Sequence, residues 1–283
     1  ATNCVLPLDD YLPAAYLADQ ANHSVGQSHA SYNYGGHQWA LAIDAATPAA
    51  SYRKDLLPQP PKTWEHVLEL AKTGKVAVPA IPIDLLMNFY TFCIAQGNEP
   101  FTSDEEVIDE ATGVKAINSM KELWSLVDRE MFTCNPIAVA ERMSTSDDYW
   151  YCPFAYGYSN YSRTGYAKKL LHYTDVVTFN GNKLRTTIGG TGLSVSAFSQ
   201  HKEIAIDFAA MAVSGECQRS MYVQHGGQPG HRSAWADAEA NRLTHDFFRN
   251  VLPVMDNGYM RPRYNGYLHF QDQAGTPLQD CLR

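Results

Sequence analysis

The sequence has no run approaching about 18 uninterrupted apolar residues, so none of it reads as a membrane-spanning helix. It is also short of basic residues: 22 Lys and Arg stand against 30 Asp and Glu, for a formal net charge of -8 and a pI near 5.6. That balance argues against a nucleic-acid or anionic-membrane partner, both of which need basic patches. The six cysteines, at 4, 93, 134, 152, 217 and 281, form no CxxC pair and no zinc-like spacing. Cys93, in an apolar run, and Cys217, in a helical pattern, read as buried free thiols. The ten histidines contain no HxxH or HExxH. His225 and His231 flank a Gly-Gly-Gln-Pro-Gly turn, where loop polarity is a better reading than metal ligation. Phosphate-binding and hydrolase motifs are missing too. Gly189-Gly190-Thr191-Gly192-Leu193-Ser194 lacks GxGxxG spacing, no GK[ST] completes a Walker loop, and there is no GxSxG elbow. Neither a metal nor a cofactor is therefore expected.

What is present is an alternation of apolar runs and helical periodicities. The 283 residues suffice for one or two domains. Asp9 to Asn22 reads as a surface helix with Leu12, Ala15 and Leu17 inward. Gln38 to Ile43 and Ala49 to Lys54 read as extended pieces on either side of an interruption at Asp44. Trp64 to Lys72 reads as a helix capped by Thr63. Val76 to Ile81 is a continuous apolar run, as in a buried parallel strand. Helices are predicted over Ile83–Ala95, around Ala116–Met131 and over Ala138–Met143, with a strand over Tyr149–Phe154. From Leu184 to Trp235 the pattern is strand, glycine gap, strand, helix, helix, glycine turn. In its first helix Ser199 stands as N-cap, and Ile204, Ala205, Phe208, Ala209 and Ala212 supply the apolar spacing. The alternation predicts an α/β fold with mainly parallel sheets. There is no internal repeat and no low-complexity tract.

Two blocks carry a resemblance. The first is GGTGLSVSAFSQHKEIAIDFA followed by a helix with a Gln and then GGQPGHRSAW, within Leu184–Trp235. The second is QWALAIDAATPAASYRKDLLPQPPKTWEHVLELAK, Gln38 to Lys72. Together, in this order, they resemble the family 1 extracellular solute-binding proteins, the receptors of ABC sugar importers. The resemblance covers most of the chain and is weakest before Gln38. It implies a two-lobe periplasmic-binding-protein-like α/β fold, with residues 1–44 and 176–226 as the remnant of a first lobe and 45–175 with 227–283 as the second. The first lobe is expected to be incomplete, because both ends of the family pattern are missing. Ala1-Thr2-Asn3-Cys4 has no basic n-region or apolar h-region, so no signal peptide is read at this start. The family implies a periplasmic monomer that binds a solute in the cleft between lobes, closes about a hinge and delivers the solute to an ABC permease.

The candidate site residues divide by chemistry. Asp44 interrupts an apolar strand, and Asp84 follows one; strand carboxyl ends are where α/β sheets bind ligands. A carboxylate accepts from two sugar hydroxyls at once, although each Asp also reads as a helix N-cap. Phe154, Tyr156 and Tyr158 share one parity in an aromatic segment ending at Asn160, and rings there can stack on a pyranose face. The alternative is hydrophobic core. In the family, a proline-aromatic-alanine-aromatic element matching Pro153 to Tyr156 lines the sugar cleft. Arg232 follows the glycine turn and can grip an anion, donate to sugar oxygens or make an ion pair; Arg261 and Arg263 lie in Met-Arg-Pro-Arg. Gln271 stands at an aromatic position of the family, which implies a smaller or more polar solute. Asn88, Gly190, Thr191 and Gln228 complete the ligand-binding set. Because Asp44 and Asp84 would repel an anion, the expected solute is a neutral sugar. The alternative is a glycoside hydrolase-type enzyme with Asp44 and Asp84 as its acid and base, which needs the two carboxyls about 5–9.5 Å apart.

Overall fold

Pro13 decides where the first helix starts. It fixes φ near the helical value but has no N–H to donate, so it sits as the cap of α1 (Ala14–Asn22) and divides the helix expected over Asp9–Asn22. A separate 3-10 turn, Leu8–Asp10, takes the first part. The structure is a computed structural model describing residues 3–103 and 105–283; the first two residues of the Ala1–Cys4 start lie outside these.

Along the chain, β1 (Asn33–Tyr34) and β2 (His37–Gln38) form a hairpin, followed by β3 (Leu41–Ala46) and β4 (Pro48–Tyr52). Four helices come next: α2 (Trp64–Ala71), α3 (Pro82–Ala95), α4 (Glu110–Trp124) and α5 (Pro136–Thr145). Then come β5 (Tyr151–Tyr156), β6 (His172–Thr174), the hairpin β7 (Thr178–Phe179) and β8 (Asn182–Lys183), and β9 (Gly189–Leu193). The last part is helical: α6 (Lys202–Ala212), α7 (Gly215–Cys217), a π-helical stretch Gln218–Tyr222, α8 (Arg232–Trp235), α9 (Ala238–Leu243), α10 (Phe247–Asp256) and α11 (Tyr267–Leu282). Side-chain caps set several starts. Thr63 accepts from His66 N at 3.4 Å, as expected, and Asp109 and Asn135 do the same for Thr112 N and Ala138 N. Ser199 does not cap α6. Its hydroxyl accepts from His201 N at 3.1 Å in a tight turn, and His201 is the capping position.

The chain packs as two compact units, one holding the segment up to Thr47 with Ile188–Met260, the other Pro48–Thr187 with Arg261–Arg283. These limits depart from those expected at 44/45, 175/176 and 226/227. Residues 227–260 stay with the first unit because their loop bonds to β3: Gly230 N donates to Ile43 O at 3.1 Å, and Ala45 N to Gln228 O at 2.9 Å. Residues 176–187 stay with the second, where Thr178 N donates to Lys62 O at 3.0 Å and the Thr186 hydroxyl to Pro48 O at 2.9 Å.

In the first unit β3 pairs antiparallel with β9, with a register shift between Ala42 and Asp44. The predicted glycine gap at Gly189-Gly190 is therefore part of a strand. Leu6, Leu8, Leu41, Val195, Ile206, Ala209 and Val213 form one core cluster, and Trp235, Phe247 and Phe248 are buried together in the helical part. α6 buries Ile206, Ala209 and Ala212 with Ala205 packed beside them, but leaves Ile204 and Phe208 exposed, so the predicted stripe holds at its alanines and fails at its two large residues. The helix is apolar on more than one face, so periodicity alone does not choose the buried one. Two glycines press on β3. A Cβ on Gly190, at φ +126°, would lie 2.2 Å from Asp44 O, and one on Gly230 would lie 2.1 Å from Ala42 O.

In the second unit β4 is central, antiparallel to β5 and β6. The apolar run Val76 to Ile81, expected to be a strand, forms none: only its start meets β5, through the bridge Val76↔Tyr151 and Ala77 N donating to Tyr151 O at 3.0 Å, while Ala80 N donates to Cys134 O. Among the described residues every strand ladder is antiparallel, and parallel pairing is confined to the isolated bridges Val76↔Tyr151 and Thr63↔Thr178. The sheets thus differ from the mainly parallel ones expected, since a continuous apolar run reports burial on both faces but not strand direction. Arg53, fully buried at the end of β4, donates to Met143 O and Ser146 O and pairs with Asp55 and Asp147.

Gly230→Ala is expected to destabilise the protein by about 1–3 kcal/mol or more, since the new methyl meets backbone that cannot rotate away. A thermal or urea melt followed by circular dichroism checks this; an unchanged midpoint would refute the close approach.

Candidate functional site

The second unit gathers one polar group around the start of α3. Pro82 occupies the first turn, where its missing N–H costs nothing, and Ile81 caps without a side-chain bond. Asp84 is the third residue of the helix, so it is not the N-cap. It is only 7% exposed, and its Oδ2 has no hydrogen-bond partner among the described residues. Burial without a partner disfavours the charged form and pushes its pKa up to about 7. Asn88, buried one turn later, falls on the same helix face. The charge of Asp84 reaches the Tyr156 hydroxyl, whose pKa is raised chiefly by burial. Tyr156, half-buried at the end of β5, shares a 3.0 Å hydrogen bond with Thr187 Oγ1. Arg261 also acts electrostatically on Tyr156, and its Nη1 donates to Gln271 Oε1 at 2.8 Å. Asp84, Asn88, Tyr156, Arg261 and Gln271 therefore belong to one unit, with Asp84, Tyr156 and Arg261 electrostatically linked and Gln271 bonded to Arg261.

The aromatic segment does not behave as one parity. The β4–β5 register shifts between Ala49 and Ser51, so β5 carries an extra residue around Pro153 and Phe154, and alternation breaks there. Phe154 is 1% exposed, in a cluster with Trp64, Phe92 and Trp124 at ring separations of 5.9–6.3 Å. It is core, not a ligand contact. Tyr158 is 40% exposed and Asn160 half-buried, so both remain open to solvent.

The first unit holds a second group. Asp44 is half-buried on β3 opposite Thr191, and its Oδ2 accepts from Gln228 N at 3.2 Å and the Tyr222 hydroxyl at 3.4 Å. Burial raises its pKa, while these two donors act the other way. Asp44 is thus no helix cap either. Gly190 and Thr191 are exposed on β9. Gln228 is buried and its amide donates to Ala45 O at 3.3 Å, so it latches the loop to β3. Arg232 is spent on structure: it makes a two-pronged ion pair with Asp256, and its Nε donates to Ser24 O at 3.2 Å. It belongs to the first unit, and its fork is occupied.

Sequence reasoning missed Tyr222, Thr187 and Gln218. Gln218 is fully buried, and its Oε1 accepts from Gly230 N at 2.7 Å and His231 N at 3.3 Å. It lies in the π-helical stretch, a geometry no residue pattern announces. Cys217, expected to be buried, is half-buried, whereas Cys93 is buried as expected.

Comparisons with known proteins agree on one family. The model of the family described as bacterial extracellular solute-binding protein matches residues 4–216. Among solved structures, a maltose-bound T. maritima MalE3 aligns with TM-score 0.84 at 20% identity, covering 99% of this chain and 75% of that one. An ABC transporter solute-binding protein from Agrobacterium radiobacter, in complex with ribitol, aligns with TM-score 0.82 at 19% identity over 98% of this chain and 75% of that one. UgpB from Mycobacterium tuberculosis, in complex with glycerophosphocholine, aligns at 0.75 and 18% identity over 99% and 74%. At these identities the alignments establish the fold.

Two outcomes follow from this geometry. Phe154→Ala is expected to lower stability by about 3–5 kcal/mol, the cost of emptying a core ring, measured by urea unfolding. For Asp84, the native state holds its proton more tightly than the unfolded chain, whose carboxyl has a pKa near 3.8. Its contribution to stability is therefore complete below about pH 4 and is lost as pH rises through 7. Asp84→Asn should flatten that decline, and melts between pH 4 and 8 that stay parallel for both proteins would contradict it.

Proposed function

This chain belongs to the bacterial extracellular solute-binding proteins, and on that premise we propose that it is the solute-binding component of an ABC importer for a neutral sugar or sugar-like solute. It binds and delivers its solute to the permease subunits as a periplasmic monomer, and makes or breaks no bond. The observation that carries the reading is Asp84. A buried carboxyl oxygen without a partner is rare in a finished core, and a sugar hydroxyl is the kind of group that would complete it. The same unit holds the half-buried Tyr156, which Asp84 acts on, and the amides of Asn88 and Gln271, the mix of ring face and paired donors and acceptors that sugars engage. The sugar-bound and ribitol-bound relatives support the same class of solute.

In this reading Tyr156 supplies the ring face, Asp84, Asn88 and Gln271 bind hydroxyls, and Arg261 orients Gln271. Tyr158 and Asn160 contribute from the exposed end of the same segment. Arg232 is withdrawn from the anion-gripping role by Asp256, which favours a neutral solute. An acid–base pair of Asp44 and Asp84 has no support in the family, whose description is of binding.

Isothermal calorimetry against a panel of neutral mono- and disaccharides, polyols and sugar phosphates tests the proposal. At least one neutral member should bind, and Tyr156→Ala should weaken it by about 1–3 kcal/mol without unfolding the protein. Asp84→Ala should cost about 0.5–1.5 kcal/mol per hydrogen bond lost. Binding of sugar phosphates alone, or turnover of aryl glycosides, would overturn it.

A further inference from the structure

We propose that Asp19, His23 and His231, in the first unit, form a binding site for a divalent d-block cation, with zinc the ion that the donor set fits best. Asp19 and His23 are four residues apart at the end of α1, which puts them on one helix face. His231 comes from the glycine loop, far along the chain. Asp19 Oδ1 lies 2.9 Å from His23 Nδ1, and Asp19 Oδ2 lies 3.8 Å from His231 Nε2. One ligand atom from each of the three residues lies within 4.8 Å of the other two. Ligands around a tetrahedral zinc, at bonds of about 2.0–2.1 Å, stand roughly 3.3–3.5 Å apart. Small side-chain movements are therefore enough to close the shell.

His231 is prepared for this role. It is 5% exposed and its Nε2 is turned towards Asp19; its Nδ1 accepts from Ser233 N at 3.3 Å and lies 2.8 Å from Ser233 Oγ, so ligation through Nε2 takes the tautomer in which Nδ1–H donates to that hydroxyl. A hydrogen bond to the far ring nitrogen is the outer-shell device that orients a metal-binding imidazole. The space beside Nε2 is kept open by Gly215, where a Cβ would lie 2.9 Å from His231 Cε1 and 3.3 Å from Nε2. The His23 ring stacks on that of His231, with centroids 4.8 Å apart and planes 13° from parallel. To bring its lone pair onto the ion, His23 has to turn out of this stack. It is half-exposed at the end of α1, and its other bond in the group is to Asp19 O, so it is placed to turn.

Two imidazoles and one carboxylate suit zinc, nickel or copper better than magnesium or calcium, which prefer oxygen throughout. Three protein ligands leave a fourth position for water. The ion would join the end of α1 to the loop whose Gln228 N–H holds Asp44, and so brace the first unit. The sequence expectation of no metal rested on missing HxxH spacings. Here the third donor is supplied by the fold.

The test is a calorimetric titration of the EDTA-stripped full chain with zinc chloride alone, paired with thermal melts. One zinc per chain and a raised melting temperature are expected. Asp19→Asn and His23→Gln should each weaken binding by about tenfold or more, and Ser233→Ala by about tenfold. Both of the first two replace exposed side chains, and their metal-free melting temperatures should match the parent's, which separates loss of a ligand from loss of the fold. Absence of zinc binding by the unaltered chain, or unchanged affinity in both Asp19→Asn and His23→Gln, would overturn the proposal.

Discussion

Two backbones approach β3 so closely that no side chain fits between them. Gly190 of β9 rests on the carbonyl of Asp44, and Gly230 of the loop rests on that of Ala42. Hydrogen bonds hold the loop in place: Gly230 N to Ile43 O, Ala45 N to Gln228 O, and the buried Gln218 amide beneath. Much of the first unit depends on this contact. It sets Asp44 beneath Gln228 N–H and the Tyr222 hydroxyl, and brings Arg232 to Asp256 and His231 to Asp19. Glycine is required at these points for lack of volume, and at Gly190 also for its positive φ.

Arg53 and Asp84, two of the buried ionisable groups of the second unit, are treated oppositely by the fold. Arg53 is surrounded by two carboxylates and two carbonyls, so its charge is kept and helps tie β4 to the end of α5. Asp84 is buried with an oxygen left unpaired, so its proton is retained to higher pH. A satisfied buried charge holds structure together; a buried polar atom left without a partner stores free energy that a ligand can release. This contrast separates scaffold from candidate site more sharply than residue type does, since both groups looked equally polar in the sequence.

The sequence by itself determined what is local. Thr63 caps α2 because a threonine oxygen reaches the N–H three residues on whatever lies beyond. Pro13 starts α1, and glycines of the block within Leu184–Trp235, Gly190 and Gly230, mark where backbone must come close. Asp84 and Tyr156 were legible as polar and aromatic groups following apolar runs. What tertiary structure decided is which face and which partner each residue received. A bulge at Pro153 and Phe154 ended the alternation, so Phe154 went to the aromatic core while Tyr156 stayed half-exposed. Arg232 met Asp256, a partner no spacing rule connects, and was removed from the site. α6 had apolar residues on more than one side, and only the packing of Leu8 and Leu41 against it selected Ile206 and Ala209. Strand direction likewise came from long-range pairing, because burial leaves an apolar run free to pair either way.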